Sequence, residues 1–589
     1  MGIVAGHRRG GVLASPSSHR SRAVGERERT APAAAPGAGE AGPASLRGLL
    51  WPLGFLLTIA FATHFLLSPL GFNLTNDGFV LAQSRRLLAG EIPHRDFISI
   101  RPAGSALLHV VDLVLGGERT YLVSRLLYWL EVAVGCWAWL AIVLAGQAVR
   151  PGRWAILPFA ALAFMFSTHA FPPMAWYTVD AIVLASLGYL ASGSRHRSLQ
   201  LLGHALIGAA AICKQNFLPL AVVAVLLRGR ARRPAAWLAA FAAPLLYVLV
   251  LAALGAAPEM RVQLTAVTGL FKSGLRPYVR EGWFAGGLAL GAVLAWLAAR
   301  PVQGGRRGAG VLRIAAIVMG WTAVAFAGRA LDSEAFHFIL SEAFFLFGLT
   351  AGALVVPLVR REFTPGLLAG GFAVALAWCA AVSLGYLSPA LVCGPLVLVF
   401  GLGSLGAIEP GQSTAARRVS AVCATLTLLL VAPHWWSARR DHIYHEATAP
   451  LLTHDLGGVL PGGRGIRTNE HTYAMLEDLH DTVAGLDGRR YALLVDGPGW
   501  WVCAAQRNPL PVDWANNMEL STEPLRARVT DSVLRQRGQL AVVVHKAAAV
   551  RSSLGFRPLP TDDPFYGHAV WAMRTLEPES ESPYWAVYR

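Results

Sequence analysis

The chain has 589 residues, of which 54% are hydrophobic and 15% are charged, and its net charge is +16. This composition is too apolar for an ordinary soluble globular protein. The basic residues are spread over short loops between apolar runs, which is typical of membrane topology rather than of nucleic-acid binding.

The N-terminal segment, residues 1–46, is rich in Arg, Ala, Pro, Ser and Gly and lacks the layout of a cleaved signal. We predict that it is a disordered tail on the cytoplasmic side. Apolar runs of bilayer-spanning length then recur through residues 47–436. With the basic loops placed inside, they predict about thirteen transmembrane helices in an all-α polytopic membrane domain.

The first outer loop, residues 69–121, is unusually polar for its position and contains "NDGFVLAQSRRLLAGEIPHRDFISIRPAG". Its segments "FVLAQSRRLLAGEI" and "SALLHVVDLVLGG" are too short to span a bilayer, and we predict two helices lying at the membrane interface. Arginines are usually scarce outside, and guanidinium groups bind phosphate through paired hydrogen bonds. The loop therefore favours a lipid substrate with an anionic head, and the alternative is a simple interfacial belt of basic residues.

Three further polar residues stand near the predicted outer ends of spans. Asp180 lies inside the fourth span, where a charge costs roughly 2.5–3.5 kcal/mol, so it either functions or pairs with a cation. Lys214 lies at the outer turn between spans five and six, with snorkelling to the interface as the alternative. His337 enters a later span at the same level and fits either a substrate contact or a structural interface histidine.

The C-terminal segment, residues 437–589, changes pattern. Short β-like runs, "RYALLVDG", "LAVVVHK" and "AVWAMR", alternate with the helix-like "EHTYAMLEDLHDTVAGL" and with turn residues. We predict a small α/β domain, which the odd number of spans places on the extracytoplasmic side.

The order of motifs in the first outer loop resembles that of membrane-embedded glycosyltransferases that use polyprenyl-phosphate sugars and have the GT-C fold. These include protein O-mannosyltransferases, the aminoarabinose transferases that modify lipid A, and bacterial relatives. Asp77, "HRDF" with Asp96, Pro102 and Arg125 followed by Leu126 match that loop. Asp180 and Lys214 resemble residues of spans four to six, and the resemblance extends over roughly residues 50–350. Gly78 departs from it, because an acidic residue is usual there, and Arg101-Pro102-Ala103 replaces a common His-Pro-Pro.

The resemblance implies a multi-pass protein of the cytoplasmic (inner) membrane with its active site on the extracytoplasmic side. There it would transfer a sugar from a polyprenyl-phosphate carrier to a glycan, lipid or protein acceptor. Because the leaving phosphate is already a stable anion, one carboxylate suffices for the proton transfer. We predict Asp77 as the general base, with Asp96 or Asp180 orienting the acceptor or sharing the role. The predicted donor-phosphate ligands are Lys214, Arg101, Arg125 and, as weaker candidates, Arg276 and Arg280.

We assign no metal ligands and no cofactor, leave a role for a divalent metal open, and expect membrane lipids but no nucleic acid as partners. The main alternative is a secondary transporter or flippase of lipid-linked sugars. Such proteins typically have two related halves and broken helices at the bilayer midplane, and this sequence has neither feature. A second alternative is a non-catalytic subunit of an envelope polysaccharide system.

Overall fold

The computed structural model describes 46–146, 153–169, 171–266, 275, 278, 282–300, 306–330, 341–382, 388–403, 413–494, 497–516, 519–536, 538–549, 556–558 and 577–589. The predicted N-terminal tail, with the exception of its last residue, and the run "AVWAMR" lie outside these residues.

Helices dominate the described residues. In chain order they are α1 (Leu46–Leu67), α2 (Asn76–Leu88), α3 (Gly104–Leu108), α4 (Val110–Gly116), α5 (Thr120–Ala145), α6 (Arg153–Thr168), α7 (Tyr177–Ser192), α8 (Arg197–Cys213), α9 (Leu218–Leu227), α10 (Pro234–Ala253), α11 (Ala257–Leu264), α12 (Gly282–Ala299), α13 (Arg306–Ala330), α14 (Ser341–Val359), α15 (Pro365–Ala381), α16 (Cys393–Leu398), α17 (Ser413–Asp441), α18 (Glu470–Ala484), α19 (Pro498–Trp501) and α20 (Glu523–Arg535).

Seven helical segments of the described chain are long and apolar enough to cross a membrane. They are Leu50–Leu67, Gly104–Ala145, Pro234–Ala253, Gly282–Ala299, Gly310–Arg329, Ser341–Val359 and Ala415–Asp441. Several shorter apolar helices, α6 to α9 and α15 among them, pack between these segments. The chain is a multi-pass membrane protein, whereas the count of about thirteen spans and the sidedness stay predictions.

The two helices predicted at the membrane interface differ in their surroundings. Helix α4 leaves an apolar face uncovered, with Val114 and Leu115 more than 60% exposed, which suits a helix lying against lipid. Helix α2 is buried along most of its length, including Asp77 and Arg86. The interfacial prediction for α2 is therefore wrong, because residues of the C-terminal segment cover the face that was expected to meet the membrane surface.

The C-terminal segment contains the predicted small α/β region. Its strands are β1 (His454–Asp455), β2 (Arg467–Thr468), β3 (Tyr491–Leu494), β4 (Ala541–His545), β5 (Ala547–Ala549), β6 (Phe556–Pro558), β7 (Ser580–Glu581) and β8 (Trp585–Tyr588). The main sheet has the order β3-β4-β8-β7, with β3 parallel to β4 and the other pairs antiparallel. The predicted helix is α18, and the first two predicted strands are β3 and β4.

The outer loop and the C-terminal segment share their hydrophobic cores. Phe79 and Val80 of α2 belong to the same buried cluster as Leu476 of α18 and Trp585 of β8. Ser45–Arg589 forms one compact unit, within which α2 is held between the apolar helices and the α/β region. The boundary predicted at residue 437 stays a prediction.

Candidate active site

Asp77 lies in the first turn of α2, and local hydrogen bonds fix the start of that helix. The Asn73 side chain accepts from the Asn76 backbone N–H at 2.8 Å, and Asp77 Oδ2 accepts from the Asn73 N–H at 2.9 Å. This reciprocal pattern resembles a helix capping box. A carboxylate in the first turn is also stabilised by the helix dipole, so the local sequence itself positions Asp77.

Arg125 of α5 binds the other oxygen of the Asp77 carboxylate. Its Nη2 lies 2.9 Å from Asp77 Oδ1, and both side chains are more than 90% buried. The guanidinium also donates to the backbone carbonyls of Ser68, Leu70 and Gly71. Arg125, which we predicted to bind the donor phosphate, is thus used within the protein to hold the loop that carries Asp77.

Asp77 and Arg125 line a narrow cavity that also receives side chains from the end of α17. Arg439 lies over the Trp129 ring at 5.0 Å, and Arg439, His442 and Tyr444 all face this cavity. The cavity therefore places a carboxylate beside cationic and hydrogen-bonding groups, a combination suited to an anionic substrate that must lose a proton nearby.

The segment "HIYHE", His442–Glu446, is not among the predicted site residues, because paired histidines beside a membrane are commonly interfacial. In the structure Tyr444 Oη accepts from Asn76 Nδ2 at 2.6 Å, next to Asp77. Glu446 accepts from the Phe72 N–H at 3.1 Å, and burial raises the pKa of its carboxyl. A usable signal existed in the excess of basic and aromatic residues at the C-terminal end of α17.

Lys214 and Arg101 meet at the start of α7. Lys214 Nζ donates to Thr178 Oγ1 at 2.9 Å, and Arg101 forms a buried ion pair with Glu519 while lying over the Tyr177 ring at 5.2 Å. Neither residue lines the narrow cavity of Asp77. These two predicted phosphate ligands form a second group of cations, separate from that cavity.

The two groups are connected through α2 and α7. Tyr177 Oη donates to Gln83 Oε1 at 2.8 Å, and the Phe79 and Tyr177 rings are in edge contact. Gln83 lies six residues after Asp77, which corresponds to about 9 Å along a helix. Asp77 and the start of α7 therefore lie at the same end of the helical bundle.

Asp96 occupies a different environment. Its pKa is lowered by a hydrogen bond from the Arg95 guanidinium, at 2.9 Å, and its side chain is one-third exposed. It lines a cavity of about 720 Å³ between the outer loop and the α/β region, separate from that of Asp77. The arginines that line this cavity are Arg86, Arg95, Arg490, Arg507, Arg528 and Arg535. Such a lining is suited to an anionic group.

Asp180 lies in α7 and contacts His109, whose Nε2 is 3.2 Å from Asp180 Oδ1. Ligand atoms of His109, Glu131 and Asp180 lie within 4.8 Å of one another, so these residues could hold a metal ion. Asp180 does not line the cavity of Asp77. The predicted Arg276, Arg280 and His337 lie outside the described residues.

No protein-family model matches the sequence, and no curated protein matches it. One solved structure with some similarity is the crystal structure of ArnT from Cupriavidus metallidurans bound to undecaprenyl phosphate. The match covers 92% of this chain and 98% of that chain, with 12% identity and a TM-score of 0.41.

Proposed function

We propose that this protein is an integral membrane glycosyltransferase of GT-C type. It transfers a sugar from a polyprenyl-phosphate carrier to an acceptor hydroxyl on the outer side of the cytoplasmic membrane. The observation that supports this most directly is the buried Asp77–Arg125 pair in the wall of a cavity that also receives Arg439 and His442.

In this reaction the acceptor oxygen forms a bond to the anomeric carbon while the bond from that carbon to the phosphate oxygen breaks. The phosphate leaves with the electron pair, and the acceptor proton passes to Asp77. Attack from the face opposite the phosphate inverts the anomeric centre. Arg125 keeps the carboxylate oriented through two bonds at 2.9 and 3.3 Å, and the hydrogen bond from Asn73 fixes its other oxygen.

Cations near the leaving group stabilise the charge that develops on it. Arg439 and His442 lie in the same cavity as Asp77, and we therefore add them to the proposed phosphate ligands. Lys214 and Arg101 keep that proposed role at the start of α7, where Arg101 is already paired with Glu519. Asp96 remains a proposed acceptor contact, since it lines the arginine-rich cavity.

The test is transfer of radiolabel from a polyprenyl-phosphate sugar to envelope extract by the purified full-length protein. Asp77→Asn preserves the shape of the side chain and its capacity to accept from Arg125, but it removes the base. We expect transfer to fall by at least about 10²-fold, the usual contribution of general base catalysis.

Two further variants sharpen the comparison. Asp481→Asn changes an exposed carboxylate on α18 and is expected to leave transfer intact. Asp96→Asn tests whether Asp96 orients the acceptor or shares the role of general base with Asp77. Equal transfer by wild type and a folded Asp77→Asn would reject Asp77 as the base, and movement of the lipid-linked sugar across liposomes without transfer would favour the transporter.

A further inference from the structure

Four titratable side chains, two of them from the outer loop, meet where α4, α5 and α7 pack together. His109 precedes α4, Asp112 lies in α4, Glu131 in α5 and Asp180 in α7. His109 Nδ1 is 2.9 Å from Asp112 Oδ2, and His109 Nε2 is 3.2 Å from Asp180 Oδ1. His109, Asp112 and Asp180 are each at most 1% exposed.

The chemistry of this cluster requires a cation. When His109 Nδ1–H donates to Asp112, the Nε2 lone pair points at the carboxylate oxygen of Asp180, and one oxygen of Glu131 lies within 4.8 Å of both. Three acceptors then face one another; those of His109 and Asp180 are buried, and Glu131 is partly exposed. Burying a carboxylate without a compensating charge costs several kcal/mol, so this arrangement needs something positive between the acceptors.

Two carboxylate oxygens of the cluster lack a hydrogen-bond donor among the described residues. Within the described part of the chain, Asp180 Oδ2 and Asp112 Oδ1 are buried and receive no hydrogen bond. A protonated His109 would donate to Asp112 and Asp180 and compensate one negative charge, but Asp112 Oδ1 and Asp180 Oδ2 would still receive no hydrogen bond from this part of the chain. A divalent ion between His109, Glu131 and Asp180 would supply two charges at the point where the acceptors converge.

We propose that His109, Glu131 and Asp180 bind a divalent transition-metal ion, of which Zn²⁺ and Mn²⁺ fit one imidazole and two carboxylates best. Asp112 orients His109 by accepting a hydrogen bond from its Nδ1–H, as carboxylates commonly do for metal-binding histidines. Ligand atoms about 2.0–2.2 Å from a tetrahedral ion lie about 3.3–3.6 Å apart. His109 Nε2 and Asp180 Oδ1 are already 3.2 Å apart, and Glu131, whose ligand atom lies within 4.8 Å of theirs, must move towards them by up to about 1.5 Å.

The ion has a defined structural effect here. It ties α7 to α4 and α5, and α7 carries Thr178, which binds Lys214, and Tyr177, which binds Gln83 of α2. Asp77 takes no part in the metal site. Metal content is measured without substrate, so the metal site and the transferase activity are tested separately.

The experiment measures bound metal in the purified full-length protein by mass spectrometry, after dialysis against EDTA and reloading with Zn²⁺ or Mn²⁺. We expect about one ion per chain in wild type and a rise of the thermal unfolding midpoint on reloading, because an ion that binds only the folded state stabilises it. Asp180→Asn and Glu131→Gln preserve shape and are expected to abolish stoichiometric binding.

Asp112→Asn is expected to weaken binding by about 10–100-fold, the usual effect of changing an outer-shell partner. Glu446→Gln is the matched control, since it changes a buried carboxylate that already receives hydrogen bonds from Phe72, Thr468 and Asn469. The proposal would be overturned if the reloaded wild-type protein bound metal only at the background level, or if folded Asp180→Asn bound as much metal as wild type. A proton would then be the cation that bridges these side chains.

Discussion

Replacing Gly78 by alanine tests how closely α2 is packed against the C-terminal segment. A Cβ atom at Gly78 would lie 2.7 Å from the Pro498 carbonyl carbon and closer still to the backbone of Gly499, where ordinary contacts begin at 3.4 Å. The obstacle is the backbone of the Pro498–Gly499 segment, so no side chain can rotate away. The close approach of two backbones therefore favours glycine at position 78.

The cost of such overpacking is typically about 1–3 kcal/mol, which corresponds to roughly a 5- to 150-fold shift in the equilibrium between docked and undocked α2. We expect Gly78→Ala to lower the thermal unfolding midpoint in detergent and to make the C-terminal segment easier to cleave with protease. Transfer activity should fall as well, since Asp77 is the preceding residue.

The matched control is Gly54→Ala, which also changes a helical glycine but has open space around it. That variant should be neutral, or more stable by roughly 0.5–1 kcal/mol, because alanine favours the helix. An unchanged midpoint and an unchanged cleavage pattern for Gly78→Ala would refute the close approach of α2 and the C-terminal segment.

Two further predictions concern buried ionisable side chains in the outer loop. Burial lowers the pKa of His94 from 6.5 to about 4. Between pH 6.5 and pH 4 the unfolded chain therefore binds a proton at His94 that the folded chain does not bind. About 3 kcal/mol of folding stability is lost as the pH falls through this range. His94→Asn, which tolerates the positive φ of 68° at this position, should flatten the profile of unfolding midpoint against pH; an unchanged slope would contradict the assignment. Arg86→Leu removes one partner of the buried pair with Asp513, 2.8 Å apart, and should cost about 3–5 kcal/mol. The double variant with Asp513→Leu should recover part of the loss in a thermal-unfolding cycle, and additive losses would argue against direct pairing.

The sequence was informative wherever the signal was local or periodic. Apolar runs predicted the membrane helices, and short β-like runs bounded by polar and turn residues predicted β3 and β4. The order of motifs also drew attention to both Asp77 and Arg125, which form an ion pair across 48 positions. Their direct contact was not predicted, because spacing along a chain does not state which side chains meet.

The sequence was uninformative where burial is produced by distant partners. Helix α2 contains Gln83 and Arg86, polar residues that suggest an exposed face, yet both are buried. Gln83 is satisfied by Tyr177, and Arg86 by Asp513, 427 positions away. Binary patterning treats a polar residue as exposed unless its partner is known, and neither partner is near in sequence.

The same long-range contacts bear on the role of the C-terminal segment. Arg101 is paired with Glu519, Tyr121 donates to the carbonyl of Gly499, and Arg85 donates to the carbonyl of Trp501. Without these partners the outer loop would hold guanidinium and hydroxyl groups with no acceptor, and each unsatisfied buried group costs free energy. The loop that carries Asp77 therefore depends on the C-terminal segment for its conformation. A substrate-binding module that could be removed without loss of the site would not make such contacts.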